Sequence, residues 1–264
     1  MKPTLLALTA AAAVAFAAAA PAQTLRFASQ GDPQTMDPHS QNESFTNSVN
    51  QQVYEYLVSR DKQLNFVPGL ATSWEQLSPL KWRFKLRQGV KFHDGSAFNA
   101  DDVVYSINRA KEPTSQIAVY ANAVGVPKKI DDLTVEFEMT KVNPIFLEHI
   151  APLFILDKEW SEKNKATKPQ DFKNKEEHYA ALNANGTGPY MLVKREPGIK
   201  TTWKRNPNYW GKIEGNVQEV VFTPIANDAT RTAALISGEL DFILDPPPRD
   251  VAKLRSTPGV KNPE

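Results

Sequence analysis

The sequence predicts an α/β protein built on a mixed sheet. Two segments, 80–86 and 133–139, alternate between apolar and polar residues, which is typical of strands in an antiparallel or mixed sheet. A pattern of strand, helix and strand over 217–244 implies parallel strands joined by a right-handed crossover. Both parallel and antiparallel pairing are therefore expected in one molecule.

The first 22 residues have the composition of a secretory signal peptide. Lys2 precedes an almost unbroken apolar run from Leu5 to Ala20, and Ala20-Pro21-Ala22 offers small residues for cleavage after Ala22. A membrane anchor is the alternative, but a run of about 16 residues is shorter than the roughly 20 that span a bilayer. We therefore expect residues 1–22 to be removed.

The composition excludes several classes of protein. The chain has no cysteine, which excludes disulfides, thiolate metal sites, cysteine nucleophiles and lipid attachment at a cysteine. Subtracting Lys2 from the 31 basic residues leaves 30 against 30 acidic residues, so no overall field favours nucleic acid or an anionic membrane. We expect a monomer that is free in the periplasm, without a lipid anchor or a nucleic-acid partner.

The chain after the signal begins with a predicted strand at Thr24–Ala28, followed by a loop over 30–40 that contains Gly31, Pro33 and Pro38. From Ser44 onward, apolar residues recur every four positions and predict one buried face of a helix. These residues are Phe45, Val49, Val53 and Leu57.

The two alternating strands flank a predicted helix. In the second strand we expect Thr134, Glu136 and Glu138 on the solvated face. Asn99 is the expected N-cap of the helix, where Asp101 and Asp102 would complement the positive end of the helix dipole. These two carboxylates are interpreted as structural rather than catalytic.

The second half of the chain starts with a charged, weakly periodic segment. We interpret Lys158–Glu177 as an exposed, partly helical connection. Beyond it, Tyr190–Arg195 and Lys200–Arg205 are predicted to pair as strands around the turn Pro197-Gly198.

The crossover predicted above comes last. Val217–Ile225 is the expected first strand, Asp228 the expected cap of a helix that reaches Ser237, and Gly238 the stop. Asp241–Leu244 then begins a strand that should be parallel to the first.

Candidate chemistry is sparse. No two of the four histidines have the spacing that places both on one face of a helix, so no metal site and no cofactor are predicted. His93, Asp94 and Ser96 define an alternative hypothesis, a secreted hydrolase with a serine nucleophile. Asp94-Gly95 is also a turn signal, and the role we favour for Asp94 is to accept hydrogen bonds from turn amides.

A glycine-rich loop and several aromatic residues complete the candidates. The loop over 185–190 precedes a strand rather than a helix and lacks a lysine, which favours a tight connection over a phosphate cradle. Trp82 is predicted to lie in the core, and Tyr209 and Trp210 to pin a loop onto the body of the protein.

Six segments in collinear order resemble the family 5 extracellular solute-binding proteins, which include periplasmic dipeptide-, oligopeptide-, glutathione- and nickel-binding proteins. They are Leu57-Val58, PGLATSW at 68–74, WRFKLRQGVKFHDGSAFNADDVVYSINR at 82–109, GTGPY at 186–190, RNPNYWG at 205–211 and RTAALISGELD at 231–241. The resemblance itself extends over essentially the whole chain after residue 22.

The resemblance implies a lobe of the periplasmic-binding-protein type. Family members have two lobes that close over a solute, and this chain matches only the first lobe, so the second lobe is absent. We therefore expect a signal peptide at 1–22, the start of lobe I at 23–50, its appended α+β subdomain at 51–180, and the remainder of lobe I at 181–264, truncated before lobe II.

The resemblance also implies site residues. In the similar peptide binders, a short segment after the Asp-Pro-His stretch hydrogen-bonds the ligand backbone like an added strand. The matching ligand-binding residues here are Asn42, Glu43 and Ser44. Tyr120 matches an aromatic position that borders the cleft in some members, and Met36, with Thr35, is a further candidate.

The function that the resemblance implies is capture of a solute and its delivery to the membrane permease of an ABC importer, without catalysis. Peptide is the leading solute because it is the commonest among members, while a metal chelate, an oligosaccharide or a glutathione-like ligand remains open. Two alternatives remain: the secreted hydrolase, and a truncated fragment that binds nothing.

Overall fold

The computed structural model of the chain describes residues 23–261, so the predicted signal peptide lies outside the described residues. The strands are β1 Gln23–Ser29, β2 Val58–Arg60, β3 Phe66–Pro68, β4 Ala71–Ser78, β5 Lys81–Leu86, β6 Val126–Asp131, β7 Thr134–Glu138, β8 Tyr190–Glu196, β9 Lys200–Arg205, β10 Val217–Pro224 and β11 Phe242–Ile243. The helices are α1 Ser44–Asn50, α2 Ala100–Arg109, α3 Ala118–Ala123, α4 Phe146–Ile150, α5 Lys158–Lys163, α6 Tyr179–Leu182, α7 Asp228–Ile236 and α8 Val251–Ser256.

The larger sheet has five strands in the order β11-β1-β10-β9-β8. β1 is parallel to both β10 and β11, whereas β9 is antiparallel to β10 and to β8. The mixed sheet predicted from the sequence is therefore confirmed, as is the β8–β9 hairpin. β10 and β11 are parallel as predicted, but they are not neighbours, because β1 lies between them.

The second sheet belongs to the predicted α+β subdomain. Its order is β4-β5-β7-β6, and every neighbouring pair is antiparallel. Helix α2 packs against β6 and β7. The core beneath it contains Phe84, Phe137 and Phe146, whose ring centroids lie 5.4–6.1 Å apart at edge or tilted angles that aromatic pairs prefer.

One face of this sheet is less solvated than its alternation predicts. Thr134 and Glu136 were expected to face solvent, yet Thr134 is 2 % exposed and Glu136 is 7 % exposed. Arg83 of the neighbouring strand donates to Glu136 at 2.9 Å from Nε, and Lys81 lies 3.6 Å from the same carboxylate. Cross-strand ion pairs thus cover this part of the polar face.

Helix α1 ends earlier than its apolar period predicts. Val53 and Leu57 are buried as expected, but they lie beyond the last helical residue, Asn50. The backbone beyond the helix pairs with the glycine-rich loop instead, since Gly188 N donates to Val53 O and Tyr190 N donates to Gln52 O, both at 2.9 Å. These bonds replace the helical ones.

Of the two helix caps predicted from the sequence, the one for α2 is confirmed and the one for α7 is wrong. Asn99 caps α2 as predicted: its side chain accepts from Asp101 N at 2.7 Å, while Asp102 accepts from Asn99 N at 2.9 Å. The cap of α7 is Asn227 rather than Asp228, because the Asn227 side chain accepts from Thr230 N at 2.9 Å. Gly238 follows this helix with a positive φ of 77°, as its predicted role as the stop requires.

The segment Lys158–Glu177 is more buried than predicted. Only Lys158–Lys163 is helical in the segment expected to be exposed and partly helical. Ser161, Ala166 and Gln170 are buried within it. No helix in residues 23–261 is long and apolar enough to cross a membrane. The predicted domain boundaries at 50 and 180 stay predictions.

Candidate functional site

The candidate site lies at the carboxyl edge of the parallel strands. Because β1 is parallel to β10 and β11, with Ser29 opposite Pro224 and Ala28 opposite Ile243, their chains leave the sheet at the same edge. In open α/β sheets this edge, where loops from neighbouring strands meet, is the usual place for a ligand. The segment after β1 carries the ligand-binding residues predicted from the sequence.

The predicted contact residues Asn42, Glu43 and Ser44 lead into helix α1, with Glu43 as its N-cap and Ser44 as its first residue. The Glu43 carboxylate accepts from Phe45 N and Thr46 N, both at 2.8 Å, and so caps the helix. Burial raises the pKa of Glu43, but these backbone bonds outweigh it and hold the pKa below its ordinary value. Asn42 and Ser44 are exposed.

The main chain of this segment has a free donor. The Ser44 N–H has no acceptor among residues 23–261, because Glu43 bonds the two amides that follow it. Glu43 itself is extended, with φ −102° and ψ 134°. An extended residue followed by an open N–H can pair with a ligand backbone as an added strand does.

Met36 and Thr35 occupy different surroundings. Met36 has no exposed surface and packs with Val53, Tyr54 and Phe222 in the core beneath the larger sheet. Thr35 is also fully buried and donates to Gln170 at 2.8 Å. The structure therefore gives Met36 a packing role, and its side chain could reach a ligand only after a rearrangement.

Tyr120 lies in helix α3 and borders a different concavity. It is half-buried, with its ring centroid 6.3 Å from that of His149. Both line a groove of about 820 Å³ that also reaches Gln51 at the far end of α1, but Asn42, Glu43 and Ser44 do not line it. The structure thus brings the first three predicted residues together and does not place Tyr120 beside them. All five stay predictions as ligand contacts.

Sequence reasoning passed over one residue at the carboxyl edge. Asp245 follows β11, is exposed, and has a positive φ of 52°, which is uncommon for a residue with a side chain. The buried side chain of Arg231 donates hydrogen bonds to Asp245 O at 3.1 Å and to Ile225 O at 2.7 Å. These bonds connect the loops that follow β10 and β11. Residues before proline usually avoid this conformation, and nothing in the local sequence signals it.

The side chains of the hydrolase hypothesis do not assemble. His93 Nε2 lies 3.0 Å from Gly188 O, while Ser96 Oγ bonds Asp94 at 2.7 Å and Asp157 at 2.5 Å. The Asp94 carboxylate also accepts from Ser96 N at 3.0 Å, which confirms its predicted role in a turn. The contacts of His93 and Ser96 therefore lie elsewhere, and the hypothesised pair of a serine nucleophile and a histidine base does not form.

Burial of His93 gives a testable pH dependence. Burial lowers the pKa of His93 to about 4, against smaller opposing effects of Gly188 and Asp94. Folding thus favours the neutral ring, and this contribution is lost as pH falls from about 6.5 to 4. We expect His93→Gln to reduce the loss of unfolding free energy between pH 7.5 and 4.5 by about 2–3 kcal/mol. Urea unfolding at the two pH values measures this, and equal losses in both proteins would contradict it.

Three carboxylates approach one another beside this turn. Asp102, Asp157 and Glu159 place one oxygen each within 4.8 Å of the others. Burial raises the pKa of Asp102 to about 7, and the nearby Asp157 and Glu159 add to the rise. Both Asp102 oxygens already accept backbone N–H groups, from Lys158 and Asn99. This occupancy fits a capping role and not a metal ligand.

The predicted aromatic pin is confirmed and centres on Glu55. Tyr209 donates to one Glu55 oxygen at 2.9 Å, while Trp210 and Thr187 donate to the other, both at 2.8 Å. Burial raises the pKa of Glu55 above its ordinary value, although the three bonds oppose the rise. The Arg87 guanidinium lies 3.9 Å from the centre of the Trp210 ring.

The fold and the candidate site at the carboxyl edge of the sheet indicate the class of protein, and comparison with a solved structure supports this. A periplasmic binding protein of Helicobacter pylori, DppA, solved in complex with the peptide STSA, superposes with a TM-score of 0.76 and 25% identity. The match covers 90% of this chain and 49% of that chain. The fold is thus that of one lobe of a periplasmic binding protein.

The family is defined by sequence comparison. Residues 65–264 match the model of the bacterial extracellular solute-binding proteins, family 5 Middle, and the chain belongs to this family. The dipeptide-binding protein of Escherichia coli is 30% identical, over 94% of this chain and 49% of its own length. Heme-binding protein A of Haemophilus influenzae is 31% identical, over 81% and 42%. The chain spans about half the length of the curated relatives it matches.

Proposed function

We propose that this chain is the first lobe of the solute-binding component of an ABC importer, which captures peptides or similar small solutes in the periplasm. It would deliver them to a membrane permease. The observation that carries the proposal is the family match over 65–264, together with the open main-chain segment at the carboxyl edge. Secretion by a cleavable signal peptide without a lipid anchor, and a monomeric state, belong to the same proposal.

The solute class is proposed from both relatives and geometry. Some similar proteins are named for dipeptides or for a bound peptide, and another is named for heme. An extended Glu43 followed by a free Ser44 N–H suits a peptide backbone, because such pairing is indifferent to side chains. Asn42, Glu43 and Ser44 are the proposed contacts, with Asp245 as an added one. No bond of the solute would be made or broken.

The product of the complete gene provides the test. Thermal shift against di- and tripeptides, glutathione, Ni²⁺-histidine and heme should reveal stabilisation by one class, since a ligand that binds only the native state raises Tm. We expect stoichiometric binding without turnover in calorimetry. Release of product from a peptide would favour the hydrolase. Binding of no compound would favour the alternative of a nonbinding lobe.

A single substitution tests the main-chain contact. Ser44→Pro removes one N–H at the first helical position, where proline is well tolerated, and Glu43 before it is already extended. We expect the Kd for the tightest dipeptide to rise roughly tenfold, the loss of about one hydrogen bond of 1–1.5 kcal/mol. Calorimetry measures it.

Ser44→Ala is the matched control, because it keeps the N–H and removes only the hydroxyl, which donates no hydrogen bond within residues 23–261; the bond at Ser44 runs from Ser48 Oγ to its carbonyl. It should bind as the wild type does. Equal Kd values for Ser44→Pro and Ser44→Ala would show that the Ser44 N–H does not contact the solute.

A further inference from the structure

A fully buried ion pair lies directly before the proposed contact segment. Asp37 and Arg109 are both inaccessible to solvent, and the guanidinium grips the carboxylate with two parallel bonds, at 2.9 and 2.7 Å. Asp37 belongs to the segment after β1, whereas Arg109 is the last residue of helix α2 in the subdomain. The pair therefore joins the proposed site to a different part of the fold.

The same two side chains bind a third stretch of chain. Arg109 Nε donates to Ala166 O at 3.1 Å, and Nη2 donates to Lys168 O at 2.8 Å. The Asp37 carboxylate accepts from Gln170 N at 2.9 Å and from His39 N at 3.2 Å. One planar fork thus fixes the segment after β1, the end of α2 and the connection at 166–170.

Two further contacts hold this segment to the subdomain. His39 Nε2 lies 3.0 Å from Phe154 O, and His39 O accepts from Gln116 N at 3.0 Å. Both the side chain and the carbonyl group of His39 are therefore bound to the subdomain. Only three residues farther along lies Asn42, the first of the proposed contacts.

The surroundings of the pair contain buried polar atoms that lack hydrogen-bond partners, which is unfavourable for stability. Among residues 23–261, four buried side-chain atoms on residues that border this pair or its segment have no hydrogen-bond partner: His39 Nδ1, Ser40 Oγ, Asn50 Oδ1 and His178 Nδ1. A buried ion pair is often no more stabilising than apolar residues of the same size, and unpaired polar neighbours add a cost.

We propose that Arg109 is a positioning residue for solute binding: through Asp37 it holds the chain at 37–40 so that Asn42, Glu43 and Ser44 present their main chain to the solute. This rests on the proposed function, because it assumes that those three residues meet the solute. Only the guanidinium has a rigid fork that bonds a carboxylate bidentately and reaches two carbonyl groups as well. Lysine keeps the charge and lacks the fork.

The experiment compares Arg109→Lys with Ile107→Ala in the product of the complete gene. Ile107 lies on the same helix, is fully buried, and belongs to the subdomain core, whereas Met36 of the segment after β1 belongs to a separate core cluster. Its truncation therefore lowers Tm without altering the fork. Calorimetry with the tightest dipeptide and hydrogen exchange of the amides at 40–44 are measured at a temperature where both variants are folded.

We expect Arg109→Lys to raise the Kd roughly tenfold or more and to speed exchange at 40–44, while Ile107→Ala leaves both near the wild-type values. Equal Kd and equal exchange in the two variants would overturn the proposal. If the wild type binds no compound of the panel, the proposed function fails. Hydrogen exchange at 40–44 then tests by itself whether Arg109 positions this segment. Faster exchange at 40–44 only in Arg109→Lys would then support positioning of the segment, and equal exchange would reject it.

Discussion

Replacing Asp37 by alanine is expected to lower the free energy of unfolding by about 3–5 kcal/mol. The change leaves the Arg109 charge buried without its partner, and it removes the acceptor of Gln170 N and His39 N. Urea unfolding at pH 7 measures the loss. A loss under about 1 kcal/mol, the range of an exposed pair, would contradict the prediction.

Two controls separate the buried pair from ordinary charge effects. Asp101→Ala removes an exposed partner of Lys129, at 2.6 Å, and should cost at most about 1 kcal/mol. The double variant Asp37→Ala/Arg109→Met removes both buried charges, so it should lose less than the sum of the single variants. Losses that simply add would show that the two charges do not stabilise each other.

The Asp37–Arg109 pair also makes the stability of the protein depend on pH in the acid range. Burial raises the pKa of Asp37, but the charge and hydrogen bonds of Arg109 outweigh this and hold the pKa well below its ordinary value of 3.8. A carboxyl with a lowered folded-state pKa stabilises the protein above its unfolded pKa and loses this contribution as pH falls below it. The wild type should therefore lose stability below about pH 4 by a route that the Asp37→Ala variant lacks.

Local features were predictable because their determinants are close in sequence. The β8–β9 hairpin forms around Pro197-Gly198, and Asn99 caps a helix with an aspartate three residues later. Each needs only neighbouring residues. The family itself was visible as a resemblance, because its motifs are contiguous stretches that a single chain displays.

Features that depend on distant partners were missed. Glu136 is covered by Arg83, 53 positions away, and Asp37 is paired with Arg109, 72 positions away. Periodicity assigns a face to each residue but does not say what lies against that face. The insertion of β1 between β10 and β11 is a similar case, since a strand, helix and strand pattern fixes direction but not adjacency.

The candidate site shows the same division. The segment 42–44 was predicted from the family resemblance and stays a prediction, whereas the burial of Met36 depends on Phe222 and other residues that are distant in sequence. Asp245 was missed because its positive φ is imposed by the loop that Arg231 holds, and not by its own neighbours.

Gly186→Ala is the second change with a large expected effect. A Cβ at this position would overlap the carbonyl oxygen of Val53, lie 2.7 Å from its carbonyl carbon, and lie 3.0 Å from Tyr54 Cδ1. The clash is mainly with main-chain atoms, which move less easily than the end of a flexible side chain. The loop cannot retreat freely either, since His93 N donates to Gly186 O at 2.9 Å. We expect a loss of about 3 kcal/mol or more in the free energy of unfolding.

Gly31→Ala is the matched control, because nothing lies within 4 Å of its added Cβ, and its effect should stay within about 0.5 kcal/mol. Gly186→Ala should also disturb binding, because Val53 follows helix α1, whose N-cap Glu43 and first residue Ser44 are proposed contacts. If the main chain at 52–54 shifts, α1 shifts with it, and the Kd for a dipeptide rises in protein that is still folded. A Gly186→Ala variant as stable as Gly31→Ala would mean that the loop and the chain after α1 are not in close backbone contact.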